Sequence, residues 1–216
     1  MKRLLAIILA AAACLAALAQ ESDAMPQGLT AAKCFLAMPE EMLQMLPEGT
    51  RLDMLDYARA GSDRASANEL DGPARILSEE PHSLVFQYGL SDTVQIFVLN
   101  PTATSPLIGV IHTFATPILD SNVQIYTSQW QPAPLASRAP TLYLDDWLAK
   151  KADRRLVEES LPYILASAAY DPHTQTLTYT NSMAAYFYGD EGKDTMEALR
   201  PSLTFKWTGS KFAPAK

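Results

Sequence analysis

Residues 83–98 read SLVFQYGLSDTVQIFV. Leu84, Phe86 and Tyr88 alternate with Ser83, Val85 and Gln87. After a turn at Ser91-Asp92, Val94, Ile96 and Val98 alternate with Thr93, Gln95 and Phe97. A period of two in β-branched and aromatic residues, broken by a short polar turn, is the signature of a β-hairpin. The next segments repeat it. Leu107–Ala115 and Asn122–Trp130 form a second strand pair, joined by a turn that carries Pro117, Asp120, Ser121 and Asn122. Connections this short leave no room for parallel crossovers, so the sheet is expected to be antiparallel.

Upstream of the hairpin the period changes to that of a helix. From Leu29 to Leu46, Phe35, Met38, Met42 and Met45 recur three to four residues apart, with a break expected at Pro39. Thr50 and Asp53 have the spacing of a capping box for a helix through Leu55 and Ala58 that Gly61 ends, and Ser62–Gly72 reads as a surface loop. Downstream, 131–140 holds three prolines and no period. Helix is then expected at Leu142–Lys150 and Arg154–Glu159, strand at Tyr163–Tyr170, Gln175–Thr180 and Leu203–Thr208, and a short helix at Asp194–Arg200 before Pro201. The expectation is an α+β fold: N-terminal helices packed on an antiparallel sheet, followed by a smaller helix-plus-antiparallel-sheet unit. The divisions are a leader at 1–19, helices plus sheet at 20–130, a proline-rich linker or covering loop at 131–140, and the smaller unit at 141–216. A single domain whose second unit extends the first sheet is the alternative.

The leader follows from charge and length. Lys2 and Arg3 precede an uncharged apolar run from Leu4 to Leu18, and Ala17-Leu18-Ala19 has the small-x-small form read by signal peptidase. The run is short of the roughly 20 residues that cross a bilayer, which disfavours a transmembrane anchor. Cleavage before Gln20 places the chain in the periplasm or outside the cell. A lipobox ending at Cys14 ranks second, because Ala11 stands where a bulky aliphatic is usual and apolar residues continue past the cysteine.

The 216 residues carry 17 Lys and Arg against 24 Asp and Glu, a net charge of −7 that becomes two units more negative once Lys2 and Arg3 leave with the leader. With no basic run or stripe, nucleic acid is excluded as a partner class and an anionic membrane surface is disfavoured. Cys34, without Cys14, has no disulfide partner, and its neighbours Ala32, Phe35 and Leu36 point to burial.

The segments CFLAMPEEMLQMLPEGTRLDMLDY (34–57), VQIFVLNPT (94–102), TLTYT (176–180) and SLTFKWTGSKF (202–212) together resemble a family of exported proteins of unknown function from Gram-negative gut and oral anaerobes. The likeness spans most of the chain after the leader. Its marks are apolar patterning with a few fixed residues, so it implies ancestry and transfers neither an activity nor site residues.

No G-x-S-x-G elbow occurs. Of the three histidines, His112 shares a strand face with Ile108, Val110 and Phe114 and reads as a hydrogen-bonded sheet residue, while His82 and His173 lie beside prolines in turns. A Cys34–His112 nucleophile and base pair would need an electropositive, exposed thiol, which an apolar setting denies. The acidic pairs Asp145-Asp146, Glu158-Glu159 and Asp190-Glu191 diverge by about 100° on a helix and read as solvated surface. Asp190, Glu191 and Asp194 around Gly192 lack the order of a calcium loop. Met38, Met42 and Met45 suit core packing better than Cu(I). No catalytic residue, metal or cofactor is therefore expected. One feature stands out: Tyr186-Phe187-Tyr188 followed by Asp190 and Glu191, since three consecutive rings cannot all face inward. These five residues are the candidate binding surface. The leading expectation is an exported, non-enzymatic module that binds an envelope protein or glycan. A hydrolase with a dispersed carboxylate site, or a carrier of a soft metal or an apolar ligand, is the alternative.

Export from a Gram-negative host is expected to yield a chain whose N-terminus, read by mass spectrometry, is Gln20. A retained leader, or an acylated Cys14, would overturn that reading.

Overall fold

Alternation sets the first sheet, and in the computed structural model, which describes residues 28–115, 117–187 and 192–215, both of its faces are covered. The leader and Cys14 lie outside the described residues. Six strands run antiparallel in chain order: β1 (Ser66–Ala67), β2 (Pro73–Glu80), β3 (Ser83–Gln87), β4 (Asp92–Leu99), β5 (Leu107–Ala115) and β6 (Leu119–Thr127). The even-numbered residues Leu84, Phe86, Val94, Ile96, Val98, Ile108 and Val110 form one buried face. Against it pack α1 (Ala31–Leu36) through Ala31, Cys34 and Phe35, and α2 (Glu48–Arg59) through Met54 and Leu55.

The odd-numbered residues Phe97, Leu99, Ile111 and Ile125 form the opposite face, and a second antiparallel sheet covers it. Its strands are β7 (Ala166–Asp171), β8 (Thr176–Asn181), β9 (Ser202–Trp207) and β10 (Phe212–Pro214), in the order β10-β9-β8-β7. Tyr170, Leu177, Tyr179, Leu203 and Trp207 meet the first sheet in one core. Three short helices flank this half: α3 (Leu144–Trp147), α4 (Arg154–Ser160) and α5 (Lys193–Glu197). Trp147 and Val157 extend the same core.

The α+β class with antiparallel sheets matches the expectation, but the helical layer is thinner than the sequence suggests. The segment after Pro39 makes only a 3-10 turn, Glu40–Met42. Arg51 explains the early stop. This buried side chain donates from one guanidinium nitrogen to the carbonyls of Phe35, Leu36 and Met38 at 2.9, 3.0 and 2.8 Å, satisfying the end of α1 where no further turn follows. Helix α2 begins at Glu48 after Pro47, so Thr50 lies inside the first turn and is not its cap. Asp120, Ser121 and Asn122, expected in a turn, belong to β6, opposite Phe114, Thr113 and His112. The Asp120 and Ser121 side chains serve the second sheet, as the seam shows.

Strand β7 is the edge of its sheet, and its outward N–H groups need acceptors. Tyr170 donates to Gln95 Oε1 at 2.9 Å while Gln95 Nε2 donates to the Tyr170 carbonyl at 2.7 Å. Ala168 donates to Ser121 Oγ at 2.9 Å, and Ala166 to Asp120 at 3.4 Å. Asn100, in the left-handed region at φ 52°, accepts from the Trp207 indole at 3.0 Å and donates to the Gly209 carbonyl at 2.8 Å.

Gly109 is the tightest point of the middle layer. A Cβ there would fall within the ring of Phe97, its cross-strand neighbour, which is itself stacked on Tyr170 at 4.1 Å between centroids. Gly109→Ala should therefore lower unfolding stability by about 1–3 kcal/mol through overpacking, read as a reduced urea midpoint at unchanged slope.

Candidate functional site

The outer edge of β6 decides where the molecule is open. Beyond Trp130 the chain turns back along that edge: Thr127 donates to the Gln131 carbonyl at 2.8 Å, Ala133 donates to the Ile125 carbonyl at 2.9 Å, and Pro132 bridges antiparallel to Tyr126. Ile125 and Thr127 thus direct their backbone groups outward, and by alternation so do Ser121 and Val123. Continued in register, Leu135 would stand opposite Val123 and Ser137 opposite Ser121. The chain does not continue. Directly after Pro134, Leu135–Ser137 coils into a 3-10 turn, so the Leu135 N–H does not reach Val123. Among the described residues, no backbone partner meets the outward groups of Ser121 and Val123.

A cavity of about 600 Å³ lies beside this open edge, and one of about 400 Å³ adjoins it at Val123. Val123, Leu142, Leu144, Trp147 and Ile164 supply apolar wall, all of them packed into the second core. Tyr143, at 69% exposure, and Tyr163, at 57%, present open rings to the larger cavity. Among the described residues, Asp120 and Glu158 are its only charged lining residues. Glu158 accepts from Arg154 at 2.8 Å; Asp120 makes no ion pair among the described residues. The Ser121 hydroxyl is held by the Ala168 N–H and by Thr113 Oγ1 at 2.7 Å. This groove was not legible as a site, because its edge strand reads as a turn and its walls come from four separate segments.

Of the five residues proposed from sequence as a binding surface, Tyr188, Asp190 and Glu191 lie outside the described residues. Tyr186 is exposed and meets Phe187 edge to face at 5.3 Å. Phe187 turns inward against the second core and covers Gly192, where a Cβ would overlap its ring. The helical carboxylates are locally engaged: Asp145 and Glu158 share Arg154, Glu159 pairs with Arg155, and Asp146 accepts from the Tyr143 N–H. Only Glu158 of these reaches the groove. The Cys34 thiol is pushed up to about 12 by burial, which leaves it unreactive at neutral pH.

On the helix-side face of the sheet, His112 Nε2 lies 2.8 Å from the Tyr88 hydroxyl and 3.6 Å from Asp92 Oδ1, with its ring stacked on Phe114 at 3.9 Å. Burial lowers the His112 pKa against the pull of Asp92, and burial together with Asp92 pushes Tyr88 up to about 12. Met38 and Met42 join Tyr88 and His112 around a cavity of about 350 Å³. Among the described residues there is no cluster of three or more His, Cys, Asp or Glu that could hold a metal, and no helix is long and apolar enough to cross a membrane.

The sequence profile of a family described as "Protein of unknown function (DUF3256)" matches residues 25–212. No curated protein matches the chain. A solved structure of a domain of an uncharacterized protein from Porphyromonas gingivalis W83 superimposes with a TM-score of 0.71 at 22% identity, over 85% of this chain and 96% of that one. At that identity the likeness is one of fold.

The His112 environment sets a pH dependence with a definite sign. Because its folded pKa is lowered, the unfolded chain takes up the proton first as pH falls. The stabilising contribution is complete above the ordinary value of 6.5 and is lost as pH drops through it towards the folded value. Urea melts between pH 7.5 and 5 should show that decline, and His112→Gln should flatten it.

Proposed function

The chain belongs to the DUF3256 family, whose function is unknown, and from its geometry we propose a non-enzymatic binding module of the cell envelope, exported by its leader, whose ligand occupies the groove along β6. The observation that carries this reading is the pairing of an apolar, ring-flanked groove with polar groups already committed to structure. Ser121 holds β7 and Glu158 holds Arg154, so, apart from the Asp120 carboxylate, the groove offers surface and hydrogen-bonding backbone. Exposed tyrosines beside an apolar floor supply contact area at low entropic cost, as in protein and glycan recognition.

A test compares the full chain with a Tyr143→Ser/Tyr163→Ser variant, both shown folded by circular dichroism, against arrays of envelope peptides and peptidoglycan-derived oligosaccharides. Ligands found with the parent chain should lose about 10-fold or more in affinity with the variant. Binding that survives both substitutions would place the site elsewhere.

The hollow lined by Met38, Met42 and His112 favours a second reading, a carrier of a small apolar ligand or a soft metal. Two thioethers and a neutral imidazole select Cu(I) over harder ions. Stoichiometric Cu(I) capture in competition with a chromogenic chelator, lost in Met42→Leu, would support the carrier over the groove module.

A further inference from the structure

We propose that the groove takes an extended polypeptide segment, which adds as a strand to the open edge of β6, pairs with the backbone of Ser121 and Val123, and brings a basic side chain to Asp120. This rests on the groove being the ligand site and names its occupant.

The chain itself shows the interaction. Residues 131–133 already lie along the edge as a strand would, with Ala133 donating to Ile125. They leave it at Pro134, and the cavity opens where the next pairs would form. An incoming segment continues the line that this return abandons. From Leu119 to Val123 the edge offers about 13 Å, room for four extended residues. Edge strands that face solvent are normally blunted by proline, lysine or a bulge, and Leu119–Val123 carries none of these.

The residue types on the incoming strand follow from the pleat. Val123 faces the second core with Leu142, Trp147 and Ile164, so side chains on that side of the segment are apolar. Asp120, which accepts from Ala166 of β7, lines the same cavity at the start of the edge and makes no ion pair among the described residues, so a Lys or Arg belongs where the segment passes it. Main-chain bonds would supply affinity and the alternating side chains selectivity.

The probes are an acetylated, amidated decapeptide of alternating Lys and Val, the same peptide with proline at every second Val, and N-acetylglucosamine oligosaccharides, each titrated into the full chain by amide NMR. The alternating peptide should shift and protect the Ser121 and Val123 amides, and the proline version should bind at least 10-fold more weakly. Val123→Pro removes an N–H outside the β5–β6 ladder and should cost a similar factor; Asp120→Asn should weaken binding severalfold and flatten its salt dependence. If Val123→Pro does not fold, the two peptides test the same bonds from the ligand's side. Equal binding of both peptides, or none by either, overturns strand addition. Oligosaccharide binding that Tyr143→Ser/Tyr163→Ser abolishes would then still place a ligand in the groove, whereas silence from every probe would remove the groove as well.

Discussion

The side-chain amide of Gln95 pairs with the backbone of Tyr170 in both directions, and the rest of the architecture depends on that exchange. A primary amide has the donor and acceptor of a peptide group, so one residue of the first sheet does for β7 what a neighbouring strand would do. Beside it, Phe97 stacks on Tyr170 and leaves room only for Gly109 across the strand. Polar register and apolar packing therefore meet at one point, the crossing of β4 and β7. Asn100 repeats the device at the far end of β4, bonding Trp207 and Gly209 of the β9–β10 hairpin. Two sheets that could slide over an apolar interface are pinned by amides at two sites.

The two sheet edges at this seam are managed in opposite ways. The outward groups of β7 are satisfied by Gln95, Ser121 and Asp120, side chains reaching from the other sheet. The outward groups of β6 are satisfied only as far as Ile125, by a return segment that a 3-10 turn after Pro134 cuts short. Backbone groups of an unpaired edge strand are a template for a further strand, so an edge left open beside a cavity marks where something else can pair.

Local pattern made the strands legible. Ser83–Gln87, Asp92–Leu99 and Leu107–Ala115 stand where alternation puts them. Alternation also shows why the coverage of the second face was missed: in β4, Gln95 and Thr93 read as a solvent side that Phe97 and Leu99 contradict. Arg51 could not be read, because a guanidinium capping a helix 13 to 16 residues away leaves no local signal. Asp120, Ser121 and Asn122 misled for a related reason. Their composition is that of a turn, yet they are strand residues because Ser121 and Asp120 have bonds to make to β7, a partner more than 40 residues downstream. The candidate groove was illegible in the same sense, being a property of where one segment departs from another.

Charge explains why an open edge is tolerable on this molecule. An exposed edge invites a second copy of the same chain to pair with it, and a net charge of −7 opposes that approach. At the edge itself, Asp120 on each copy would be brought near its counterpart, and like charges repel. The same carboxylate attracts a segment of opposite sign. Nearby, Asp145 and Glu158 share the single cation Arg154, which offsets one of their two charges. One residue thus disfavours self-association and favours a basic partner, and it does so without closing the backbone groups on which strand addition depends.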